Sequence, residues 1–172
     1  MLKFTEDWYQ THVNKSKTRK GTTTPKIKAL LDKYISPHAQ ALAALVKNPT
    51  LSKGNEEHYL QVRIFDWLER ELPEIYDLTH ATPNGGKRGK KTAFAMKAEG
   101  QKKGYLDLSI DRACGGFHGF RMEVKFGKNR LTPEQIQWVS KLEREGYKVV
   151  VVWTLEDAVK EITDYVSLEE LS

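Results

Sequence analysis

From Phe120 to Trp153 the chain reads as strand, helix, strand, and this order limits the possible folds more than any other feature. "FRMEVKF" (120–126) alternates apolar Met122, Val124 and Phe126 with charged Glu123 and Lys125, the period of two of a strand. "GKNRLTPEQ" then leads into a helix that Gly146 stops. Thr132-Pro133-Glu134-Gln135 opens that helix as a capping box, in which the threonine side chain bonds the N3 amide and the glutamine bonds back. "KVVVVW" follows with five consecutive apolar residues, Val149 to Trp153, as expected of a strand covered on both faces. Two strands joined by a crossover helix form a right-handed parallel unit.

Upstream, "YLDLSI" puts Leu106, Leu108 and Ile110 on one face of a strand and Asp107 on the other, and "DRACGGFHG" closes a hairpin onto the Glu123 strand. That strand therefore lies inside the sheet, with Asp107, Glu123 and Lys125 on its polar side. Burying an ion costs several kcal/mol unless it is paired or metal-bound, and Lys125 offsets only one carboxylate.

A third acid enters from "EEHYLQVRIFDWLEREL", a helical pattern with Leu60, Ile64, Leu68 and Leu72 on one stripe. Glu57 shares that stripe and points at whatever the helix packs on, although an acid in a first helical turn also complements the helix dipole. Clustered carboxylates repel and raise one another's pKa, and a divalent cation removes both problems. Oxygen donors with no cysteine and no well-spaced histidine select a hard ion, Mg²⁺ with Mn²⁺ as a substitute. Such an ion suits phosphodiester hydrolysis, where it polarises the phosphoryl oxygen and acidifies water. His12, His38, His58, His80 and His118 are scattered without ligand spacing and read as surface or packing residues.

Charge supplies the partner. Residues 87–103 hold seven Lys/Arg against one Glu and residues 1–54 hold ten against three, so the rest of this net +5 chain is acidic. Two basic stretches beside an acidic remainder favour a polyanion on one surface. Lys87, Arg88, Lys90 and Lys91, with Lys102 and Lys103, are the candidate phosphate contacts. "GKRGKKT" is not a phosphate-binding P-loop, because its first glycine is misplaced and Lys90 is followed by Lys91. The single cysteine, Cys114, excludes an internal disulfide. No apolar run approaches about 18 residues and "MLKFTEDWYQ" lacks a signal-peptide core. The expectation is a cytoplasmic protein with no membrane segment.

The remaining elements are a short helix capped by Thr5 and a polar, basic arm "NKSKTRKGTTTPK". A helix opened by Ser36-Pro37 follows, then a strand in "YDLTHATP" ended by "PNGG", and a helix in "KTAFAMKAEG" ended by Gly100. The expected division is a basic helical extension with a flexible linker over 1–54 and a catalytic domain over 55–172.

Glu57, "PNGGKR", "KAEGQKKGYLD", "EVK", "LTPEQIQW" and "LEREGYKVVVV" together resemble the virus-type replication-repair nuclease (VRR-NUC) domain of the PD-(D/E)XK nuclease superfamily. The resemblance implies a restriction-endonuclease-like α/β core, a mixed central sheet flanked by helices. Residue by residue, it implies that Asp107, Glu123 and Val124 hold Mg²⁺ and that Glu57 completes or supports the site. Lys125 then orients water or stabilises the pentavalent phosphate, and Gln135 supports the site besides its capping role. It further implies a phage or bacterial DNA endonuclease, a homodimer similar to Holliday-junction resolvases, selective for branched DNA in replication, recombination or repair. The alternative is a non-catalytic DNA-binding accessory protein with a nuclease-like core. Leu106 stands where the family usually has proline, which touches the strand entry and no ligand.

Overall fold

In the computed structural model of the chain the described residues are 35–83 and 90–168, the side chains of 90–93 excepted. The Thr5 helix, the basic arm, Lys87 and Arg88 lie outside them. The chain divides into two compact units, 1–36 and 37–172. The second contains α1 (Pro37–Lys47), a 3₁₀ turn (Pro49–Ser52), α2 (Glu56–Glu71), α3 (Pro73–Tyr76), β1 (Thr79–Ala81), α4 (Lys90–Ala98), β2 (Leu108–Ile110), β3 (Phe120–Val124), α5 (Pro133–Arg144), β4 (Lys148–Val152) and α6 (Leu155–Val166).

The sheet order is β1-β2-β3-β4, antiparallel at the first two pairings and parallel at the third. The Glu123 strand is thus internal, with the hairpin on one side and the valine strand on the other, as the strand-helix-strand order requires. Phe120, Met122 and Val124 face a core formed with Leu60, Ile64, Phe65 and Leu68 of α2 and Ala158, Ile162 and Tyr165 of α6. The opposite face, carrying Glu123, meets α5 through Gln135. Two helices on one face and one on the other make a layered α/β structure.

Local chemistry explains most boundaries. The Thr132 side chain accepts from the Gln135 amide, and Gln135 Oε1 accepts from the Thr132 amide at 2.9 Å, so the capping box is formed. Gly100, at φ +97°, ends α4 with its N–H on the Lys97 carbonyl and the Gln101 N–H on Met96, a left-handed cap that L side chains resist.

Three expectations are corrected. Phe126 is not on a buried face: β3 ends at Val124, and Phe126 is 47% exposed in the following loop. β4 is only half-buried along Lys148–Val151, because it lies at the edge of the sheet formed by the described residues. β2 starts one residue after Asp107, leaving that acid at the strand entry, where its carbonyl accepts from the Thr82 N–H. α1 falls within the unit 37–172. The His38 ring stacks on Phe65 at 5.4 Å, and its Nε2 pairs with the Tyr76 hydroxyl at 3.0 Å.

Candidate active site

The polar face of β3 is buried along its length: Arg121 is 7%, Glu123 1% and Lys125 7% exposed. Alternation places the three on one side, and each solves its burial differently. The Arg121 guanidinium donates to the carbonyl of Phe120 at 2.9 Å, pairs with Asp111 at 3.2 Å and lies 4.2 Å over the Tyr147 ring. It braces the closed end of the hairpin, away from the acids. Lys125 donates from Nζ to Glu123 Oε1 at 2.5 Å, and Gln135 Nε2 donates to the same oxygen.

Glu123 Oε2 is left buried with no hydrogen-bond partner. Burial, together with the neighbouring Asp107 charge, pushes the Glu123 pKa up to about 8 despite the Lys125 cation. Asp107 is held beside it, because its Oδ2 accepts from the Val124 N–H at 3.1 Å. The centre is therefore two adjacent carboxylates, one carrying an orphaned oxygen, with an ammonium and an amide on the other oxygen. A buried acceptor without a donor costs roughly 1–3 kcal/mol, and a cation at that oxygen would satisfy it and restore the ionised form. The donors are oxygen, so the residues fit a hard divalent ion.

Glu57 goes elsewhere. Its Oε1 accepts from the Phe126 N–H at 3.2 Å and from Asn129 Nδ2 at 2.9 Å, in the loop beyond β3. Hydrogen bonds link Lys125 and Gln135 to Glu123 and hold Asp107 on the Val124 amide, while Glu57 bonds the adjoining loop; among the described residues no group of three or more metal-ligating acids, cysteines or histidines forms. Packing of α2 on β3 brings Glu57 to the loop that follows the strand.

A comparison with solved structures aligns this chain to a VRR_NUC domain protein at 31% identity and a TM-score of 0.59, covering 67% of this chain and 92% of that one. The chain belongs to the VRR-NUC family. No family model matches the sequence, and no curated protein matches it. The nuclease-like VRR-NUC core accounts for the mixed four-stranded sheet with its flanking helices.

Around this VRR-NUC centre the basic candidates are unevenly placed. Lys102 is exposed, whereas Lys103 pairs with Glu134 at 2.5 Å and holds that carboxyl below its usual range. Lys90 and Lys91 open α4. An open cleft of about 420 Å³ is lined by Thr82, Met96, Glu99, Gln101, Lys102 and Tyr105. Arg121 was missed from sequence, although its position two residues before Glu123 fixed its face. Asn129 and Trp153 were also missed. Trp153 Nε1 donates to the Asn129 carbonyl at 3.1 Å, a contact between distant loops with no local signal. No helix among the described residues is long and apolar enough to cross a membrane.

Proposed function

We propose that the protein is a Mg²⁺-dependent DNA endonuclease that hydrolyses phosphodiester bonds and acts on branched or junction DNA. The observation that carries this reading is the paired Asp107 and Glu123 with an orphaned buried oxygen, beside a buried lysine, in a VRR-NUC fold. Asp107, Glu123 and the Val124 carbonyl would hold the ion, with Mn²⁺ as a substitute. When bound, such an ion polarises a phosphoryl oxygen and acidifies a water.

The chain's own groups do the rest. Lys125 carries a cation on the polar face of β3, where it orients water and offsets charge gathering on the phosphate. Gln135 fixes one Glu123 oxygen and so leaves the other free to bind the ion. Because Gln135 also caps α5, the helix start and the Glu123 rotamer are set by one side chain. Lysines at α4 and at 102–103 take the flanking phosphates, which positions the duplex without reading sequence. Two copies of the chain acting together would suit a symmetric junction.

The test is cleavage of labelled duplex, flap, splayed and four-way DNA with Mg²⁺, Mn²⁺ or EDTA. The expected outcome is cutting of branched substrates that EDTA abolishes. Binding without cutting under every metal condition would favour the accessory-protein alternative.

A further inference from the structure

Freed from the acid pair, Glu57 builds something else. Its single oxygen holds both the Phe126 amide and the Asn129 side chain. The Asn129 N–H closes the turn on the Phe126 carbonyl at 3.1 Å, and its own carbonyl takes the Trp153 indole N–H. Gly127, at φ +59°, makes the reversal. One carboxylate of α2 thus fixes the loop "FGKNR" (126–130) and, through it, the ring of Trp153.

What this frame displays is unusual for residues so well tied. Phe126 is 47% and Trp153 40% exposed, and Lys128 and Arg130 are exposed without an ion pair among the described residues. Phe126 and Trp153 follow Lys125 and Val152 directly and the two cations follow Phe126 in the same loop, so all four lie past the carboxyl ends of the parallel strands β3 and β4, where ligands bind in open α/β sheets. Exposed aromatics among cations suit unpaired nucleotides, whose bases stack on rings while phosphates meet the cations. Paired bases in a duplex are already stacked on one another and offer the rings little.

The geometry points to the 126–130 loop and Trp153 as a docking surface for unpaired nucleotides of the DNA substrate, with Glu57 as the residue that positions it. This rests on the nuclease reading and names the substrate feature behind its selectivity.

The experiment uses the full chain carrying Asp107→Asn, to prevent cleavage, and measures binding to duplex and to splayed DNA of the same sequence. Phe126→Ala with Trp153→Ala should weaken splayed-DNA binding roughly tenfold per ring and leave duplex binding unchanged. Glu57→Ala should lose the same preference and Glu57→Gln, which keeps the acceptor oxygen, should retain it. Mg²⁺ affinity of the otherwise unaltered protein, read by calorimetry, should survive Glu57→Gln. Equal loss on both DNAs, or loss of Mg²⁺ binding in Glu57→Gln, overturns the inference. So does a dimer that the ring substitutions dissociate, since the face would then be an interface between copies. If the Asp107→Asn parent binds no DNA at all, the nuclease reading itself falls.

Discussion

Under the proposed function Glu123 meets two demands that conflict in the metal-free chain: it is buried in the fold and would be ionised to hold a cation. Its raised pKa means that below about pH 4.5 both folded and unfolded chains carry the proton, and between about 4.5 and about 8 only the folded chain does. Metal-free stability therefore falls as pH rises through that window and stops falling above it. Glu123→Gln should flatten the decline, so that in EDTA its urea midpoint exceeds the parent's at about pH 8 and matches it near pH 4. Mg²⁺ should raise the parent's midpoint and not the variant's. Lys125→Met keeps the buried stem and removes the charge, and turnover should drop by ~10²–10³ while DNA affinity stays within about threefold. Equal losses of both would mark Lys125 as a plain phosphate contact. The acids and the lysine were legible because strand alternation fixes faces without knowledge of neighbours. Phe126 was misread because the same alternation does not say where pairing ends, and Arg121 because its partners Asp111 and Tyr147 come from other segments.

The 102–105 segment crosses the start of α5 at close range. Gly104 sits there at φ +71°, and a Cβ on it would stand 2.7 Å from Glu134 Cβ and 3.3 Å from the Gln135 amide nitrogen. Gly104→Ala should cost ~1–3 kcal/mol in urea unfolding and slow cleavage as well, because displacing the first turn of α5 pulls Gln135 from Glu123. Unchanged stability would show that the crossing tolerates a side chain. Element order, the hairpin and the parallel pairing of β3 with β4 followed from periodicity and turn chemistry, which are local. The shortness of β2 and β1 and the half-exposed β4 did not, since they depend on which strand lies at the edge.

Over the whole molecule, His38 ties α1 to α2 and α3 of its unit. A protein starting at Pro37 should melt close to the full chain, whereas one starting at Asn55 loses the stacking of His38 on Phe65 and its bond to Tyr76 and should melt several degrees lower. Similar melting of the two would place α1 outside the stable unit after all. Nothing local in the sequence ties residue 38 to residues 65 and 76, so these contacts could not be read from periodicity. The candidate centre, by contrast, draws three of its four members from one strand and its hairpin partner, so strand alternation alone sets them side by side. Its meaning rests most directly on single-turnover cleavage of a branched DNA in Mg²⁺ by Asp107→Asn and by Glu123→Gln, each compared with the parent at matched thermal stability. Both should fall by about 10³-fold or more, as expected when a carboxylate that carries the metal is lost; a rate near the parent's in either variant would contradict the assignment of this acid pair to catalysis.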